Sequence, residues 1–155
     1  MGLGKTIMMI ALILLHQRPA GLPAVDKNEV LNSNATLIAL PAPIIFQWVK
    51  EIKKFAPHLK VYIYELVDIS RKELAAYDIV LISFHDLIGE TNFISHHQCD
   101  RSSRYAKKTK FRNPQLCNIN WWRVVLDEAQ MSQTCSSSFK LISKLPRVNP
   151  WLLIV

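Results

Sequence analysis

Cysteine is scarce in this chain: Cys99, Cys117 and Cys135 are the only three among 155 residues. An odd, widely spaced set of thiols does not describe a disulfide framework, and it points to a reducing compartment. Long apolar runs are missing too. The most hydrophobic stretch, TIMMIALILLH from Thr6 to His16, falls well short of the roughly 20 residues needed to cross a bilayer. Internal repeats are absent, and so is the composition of a disordered segment, since 50% of the residues are hydrophobic and 20% charged. Such a chain can bury a core, and its length suits about one domain. Acidic residues number 12 against 19 Lys and Arg, for a formal charge of +7. That balance favours an anionic partner such as nucleic acid, although many basic proteins have none.

Along the chain, apolar runs alternate with helical patterns. A helix is expected from about Lys5 to His16. The same stretch also resembles the core of a signal peptide, with GLPA beyond it as a cleavage-like site. The preceding MGLGKT favours the helix, because phosphate-binding loops run straight into one. QRPAGLPAVDKNEVLNSNA reads as a loop broken by Pro and Gly. TLIAL (Thr36 to Leu40), stopped by Pro41, reads as a buried strand. IIFQWVKEIKKF places Ile45, Trp48, Val49, Ile52 and Phe55 near one helical face. LKVYIY reads as a strand, SRKELAAY as a short helix opened by Ser70, and DIVLIS (Asp78 to Ser83) as a buried strand. WRVVLDEA contains a fourth strand, TCSSSFKLISKL a helix, and WLLIV a fifth strand. This rhythm predicts an α/β fold with a mainly parallel sheet flanked by helices. Residues 90–120 break it. They are polar and mixed, which suits an insertion or functional loop.

Two short segments carry chemistry. In Gly2-Leu3-Gly4-Lys5-Thr6, the glycines let backbone N–H groups approach phosphate oxygens, and the helix that follows adds partial positive charge. Lys5 would reach the β- and γ-phosphates of a nucleotide, and the Thr6 hydroxyl would bind Mg²⁺. Taken alone, half a loop is weak evidence. VVLDEAQ (Val124 to Gln130) supplies the rest. A strand ending in Asp-Glu delivers both carboxylates to the edge of a parallel sheet where α/β ligands bind. Asp127 can serve the Mg²⁺ shell, and Glu128 can orient and deprotonate a water. A lone Asp-Glu pair is usually an exposed acidic turn. Here it follows a buried run and shares a chain, in the right order, with GxGKT.

These segments resemble, in order, the motifs of the first ATPase lobe of SNF2-type helicase-like translocases, within helicase superfamily 2. MGLGKT resembles motif I, LIALPAPIIFQWVKEIKKF motif Ia, DIVLISFHDL motif Ib and LDEAQ motif II. The likeness is closest to the SNF2 histone-linker PHD-RING helicases and their fungal relatives, through ALIL followed by His, a basic insert and WWRVVLDEAQM. The resemblance implies a RecA-like P-loop domain across 1–155, a partial N-terminal ATP-binding lobe with a basic insertion at about 90–120. It implies that Gly2, Leu3, Gly4, Lys5, Thr6, Asp127 and Gln130 bind ATP, that Thr6 and Asp127 hold Mg²⁺, and that Lys5 and Glu128 are catalytic. Gln130 would couple the nucleotide to DNA contacts. Pro41, Ala42 and Ser83 would lie along a DNA backbone. The implied parent is a nuclear, DNA-dependent ATP hydrolase acting on double-stranded or nucleosomal DNA, with no membrane partner. Any ubiquitin-ligase activity, and any ubiquitin-pathway partner, would belong to regions outside these residues. The alternative is a non-catalytic nucleic-acid- or protein-binding module descended from such a lobe.

In the resembled family a strand feeds the phosphate loop, whereas Met1 falls within the loop. The expectation is therefore an incomplete fold: the feeding strand and the second lobe, with its arginine finger, lie outside these residues, and the 155 residues alone are inactive. His96, His97, Cys99 and Cys117 invite a zinc reading, but their spacing fits no standard paired-ligand pattern, and polar loop residues account for them better. The cluster from Arg101 to Arg112 holds Arg101, Arg104, Lys107, Lys108, Lys110 and Arg112 and no acid. It reads equally as a solvated face or as a phosphate-contacting arm. Trp48, Trp121 and Trp122 could stack on bases, but core or lobe-interface positions are commoner for such residues.

Overall fold

The computed structural model describes residues 4–19, 30–65, 69–88, 90, 115–128, 130 and 142–153. Among the described residues six strands form one sheet: β1 (Leu31–Asn32), β2 (Thr36–Leu40), β3 (Val61–Tyr64), β4 (Ile79–Ser83), β5 (Ile119–Leu126) and β6 (Arg147–Leu152). The helices α1 (Lys5–Leu15), α2 (Ile45–Phe55) and α3 (Arg71–Ala75) accompany them. The strand path is β1-β5-β2-β4-β3, with β6 also paired to β5. All of these pairings are parallel. The mainly parallel α/β sheet expected from the sequence is therefore the fold observed.

Every residue of β2 and β4 is buried. A strand covered on both faces has no polar side to show, hence the unbroken runs TLIAL and IVLIS. Alternate residues split between two cores. Leu37, Ala39, Val80, Ile82, Val124 and Leu126 face one side, where Leu74 of α3 packs. Ile38, Leu40, Ile79, Leu81 and Val125 face the other, beneath α1 and α2. Burying one such aliphatic side chain contributes about 1.5–3 kcal/mol. A one-residue slip would turn both sets around, so the pattern also pins the register. Ser70 opens α3 through a capping box with Glu73, as its position in the sequence predicts. Those bonds from Ser70 hold the exposed Glu73 carboxyl below its usual range.

Several elements differ from expectation. β1 lies in the segment read as a loop. It pairs Leu31 with Ile119 and Asn32 with Asn120, and Asn120 Nδ2 donates to Asn32 Oδ1 at 2.8 Å. The final strand starts earlier than WLLIV, at Arg147, and contains Pro150. Among the described residues it pairs with β5 alone, and proline is tolerated on such an edge. Val148, Trp151 and Leu152 are exposed there. On α2, Ile45, Trp48 and Ile52 are buried and Val49 is half-buried, but Phe55 is exposed, with the Lys54 ammonium 4.9 Å from its ring centre. Most of the helix expected in TCSSSFKLISKL, the basic cluster 101–112, and Gly2, Leu3, His96, His97, Cys99 and Cys135 lie outside the described residues.

Candidate nucleotide site

Because the strands run in one direction, β2, β4 and β5 end at a common edge, at Leu40, Ser83 and Leu126. Pro41, Ala42, Asp127 and Glu128 follow from those ends. α1 begins at the same edge. Gly4 precedes it with φ +71°, a left-handed conformation that costs glycine little. Its carbonyl accepts from Met8 N at 2.9 Å, which closes the first turn.

Lys5 Nζ lies 3.3 Å from Glu128 Oε1, with about a quarter of each side chain exposed (23% and 24%). The two segments that carry the predicted chemistry are thus brought together across 123 residues of chain. A pair this exposed contributes only about 0–1 kcal/mol, so its significance lies in placement. Gln130 Nε2 donates to the other oxygen, Glu128 Oε2. Glu128 is held on both sides, and among the described non-glycine residues it alone has positive φ, at 51°. A non-glycine residue in that region stores about 1–3 kcal/mol of strain, and such strain gathers at functional sites.

Asp127 is 5% exposed. Its Oδ1 accepts from Glu128 N at 2.9 Å, and its Oδ2 accepts from Trp48 Nε1 at 2.9 Å. Sequence patterning puts Trp48 in the core of α2. It is in that core, at 2% exposure, but its one polar atom reaches the acidic end of β5. The signal available in the sequence is the indole itself, since a buried indole N–H must find an acceptor. Trp121 and Trp122 are buried as well. Their N–H groups donate to backbone carbonyls, Leu116 O and His16 O, both at 3.0 Å, so neither ring is free to stack on a base.

Gly4, Lys5, Thr6, Trp48, Asp127 and Glu128 line a cavity of about 550 Å³, which α2 extends through Lys50, Lys54 and Phe55. That volume lies within the roughly 300–1,000 Å³ of small-ligand pockets. Its lining includes the Thr6 hydroxyl, the carboxylates of Glu51, Asp127 and Glu128 and the ammoniums of Lys5, Lys50 and Lys54, a set suited to a polyphosphate and a hard cation held by oxygen. Ser83 lies elsewhere on the edge and is 3% exposed. Its hydroxyl donates to Asp86 Oδ2 and accepts from Asp86 N at 3.0 Å, so it is engaged in a turn. Pro41 is half-buried and Ala42 exposed.

Behind the site, Arg123 is 1% exposed. Its guanidinium donates to Thr36 Oγ1 at 2.8 Å and to the His16 carbonyl at the end of α1. Burial lowers its pKa. The arginine ties the far end of α1 to β5, so the elements that carry Lys5 and Asp127 are fixed at both ends. Cys117 is half-buried, and its thiol is pushed up to about 11, first by burial and then by Glu90. A thiol that keeps its proton is a poor metal ligand. Among the described residues no helix is long and apolar enough to cross a membrane, and no cluster of three or more His, Cys, Asp or Glu could hold a metal ion.

Residues 1–154 match the family model of the SNF2-related domain. The chain is 32% identical to the uncharacterized ATP-dependent helicase IRC20 of Saccharomyces cerevisiae, over 97% of its own length and 11% of that protein's. It is 31% identical to the E3 ubiquitin-protein ligase SHPRH of Homo sapiens, over 81% of its own length and 8% of that protein's. Among solved structures, the SWI2/SNF2 ATPase core of Sulfolobus solfataricus in complex with double-stranded DNA matches with a TM-score of 0.61 at 25% identity, over 99% of this chain and 26% of that one. The chain therefore spans a small part of each relative's length. With the sheet, the Lys5–Glu128 meeting and the match across residues 1–154 all in agreement, the chain belongs to the SNF2 family of helicase-like ATPases.

Proposed function

We propose that this chain is the nucleotide-binding part of an ATP-driven motor that moves along duplex DNA. The observation that carries the reading is the meeting of Lys5 and Glu128 beside Asp127. Lys5 would leave Glu128 and donate to β- and γ-phosphate oxygens. Gly4 and the start of α1 would supply N–H groups to the same phosphates, with Gly2 and Leu3 completing the loop. Thr6 and Asp127 would hold Mg²⁺, whose charge, when bound, offsets negative charge that builds up on the phosphates. The fit is good, because Asp127 is buried and keeps lone pairs free after its two hydrogen bonds. Released from Lys5, Glu128 would take the proton of the attacking water, and the Gln130 amide would keep its carboxylate oriented.

DNA would contact the turn that leads into α2, at the half-buried Pro41 and the exposed Ala42. Ser83 would join only after giving up Asp86. The lysines and arginines between Arg101 and Arg112 would add phosphate contacts. Such contacts follow the backbone and not the bases, so binding should tolerate any sequence and fall with salt. The structural relative solved with double-stranded DNA supports this partner. We further place the working protein in the nucleus, acting on free or nucleosomal DNA. A ubiquitin-ligase function, suggested by the SHPRH relative, would reside outside residues 1–155. The test is steady-state ATP hydrolysis by the full-length polypeptide, with and without duplex DNA. Stimulation by duplex supports the motor. DNA binding without nucleotide turnover would replace it with the non-catalytic binding module.

A further inference from the structure

We propose that Trp48 is a positioning residue for Asp127, fixing the direction in which that carboxylate presents itself to a divalent cation. The inference rests on the nucleotide-site reading above. It starts from a contrast among three buried tryptophans. The indoles of Trp121 and Trp122 satisfy their N–H on backbone carbonyls, Leu116 O and His16 O. Trp48 instead gives its N–H to a side-chain carboxylate, Asp127 Oδ2, at 2.9 Å. Filling the core beneath α2 needs only an apolar ring, so packing alone does not account for this bond.

An aspartate has a broad terminal torsion, so its carboxylate plane is set by hydrogen bonds more than by rotamer wells. Here each oxygen has one fixed donor: Glu128 N on Oδ1 and Trp48 Nε1 on Oδ2. An indole N–H can only donate. The contact therefore leaves lone pairs on both oxygens to serve the cavity that Thr6 also lines. The donor itself is rigid. Trp48 is 2% exposed and packs in one core with Ile45 and Ile52 of its own helix and Met9 and Ile10 of α1. α1 leaves the phosphate loop at Lys5, so one ring sets the carboxylate against the element that begins at the lysine. Second-sphere donors of this kind change metal affinity by roughly 10- to 100-fold when removed.

The test uses the full-length polypeptide with Trp48 replaced by benzothienylalanine, which keeps the shape of the indole and removes its N–H. Binding of a fluorescent ATP analogue is titrated with Mg²⁺ and repeated in EDTA. The account expects the Mg²⁺ requirement to rise by roughly tenfold or more, with nucleotide binding in EDTA unchanged. In an Asp127→Asn background the same replacement should add little, because the group it orients is gone. A second measurement avoids the substitution. In fluorotryptophan-labelled protein, Mn²⁺ with nucleotide should broaden the Trp48 resonance and leave those of Trp121 and Trp122 sharp. An isostere with the parent's Mg²⁺ dependence, or a Trp48 line that Mn²⁺ does not broaden, overturns the inference and leaves the nucleotide reading intact. A parent protein whose nucleotide binding ignores Mg²⁺ removes both.

Discussion

Lys5 and Glu128 form an ion pair at 3.3 Å. The lysine that would hold phosphates and the carboxylate that would activate water are thus partnered with each other, and the proposed mechanism requires nucleotide binding to separate them. Lys5→Ala should leave the fold in place, since the pair contributes only about 0–1 kcal/mol. ATP turnover by the full-length protein should fall by a factor of at least roughly 10², the usual loss for one charge-stabilising donor. Steady-state kinetics beside a thermal melt separates the two effects.

Glu128 carries a second liability in its backbone. With φ at 51° it occupies a region that costs an ordinary residue energy and glycine almost none. Glu128→Ala and Glu128→Gly both remove the ion pair and the proposed general base, so both should be inactive. They should differ in stability, the glycine variant being more stable by about 1 kcal/mol. Chemical denaturation of the two variants measures the difference directly. An alanine variant as stable as the glycine one would mean that the turn relaxes.

Cys117 supplies a pH dependence. Its thiol has an ordinary value of 9.0 and is held at about 11 in the folded chain. The folded state keeps the proton that the unfolded state gives up, so the thiol favours folding fully below pH 9. That contribution is lost as pH rises from about 9 to about 11. Unfolding midpoints followed across this range should fall more steeply for the parent than for Cys117→Ala. Alkylation of the native thiol at pH 8 should also be slow beside that of the unfolded chain.

The basic cluster makes a prediction about salt. Replacing Arg101, Arg104, Lys107, Lys108, Lys110 and Arg112 by neutral residues should weaken duplex binding. Each phosphate that these side chains no longer neutralise should take about 0.9 off the slope of log affinity against log salt. A slope that does not change would assign the cluster to a solvated surface or to a protein partner.

The physics of burial decides how much of this was legible in the sequence. β2 and β4 stood out because a strand covered on both faces must be apolar throughout, and Pro41 marks where β2 stops. α2 stood out through its stripe of Ile45, Trp48 and Ile52, while Phe55, one turn beyond the packed part, escaped to solvent. β1 was illegible because two residues carry no periodicity, and their pairing with β5 is a tertiary fact. The turn at Ser83 could have been read, since Ser-x-x-Asp is a capping pattern. The Lys5–Glu128 meeting followed from strand direction and motif order. The bond from Trp48 to Asp127 did not, because no spacing rule links residues on separate elements.

The central claim is that Glu128 is the base in an ATP-hydrolysing site. It is tested most directly by single-turnover hydrolysis of ATP on Glu128→Gln in the full-length protein, in the presence of duplex DNA. The amide preserves shape and removes the proton acceptor. The account predicts that the variant binds ATP as tightly as the parent and holds it without cleavage. Cleavage at the parent rate would show that another group activates the water, and would contradict the assignment.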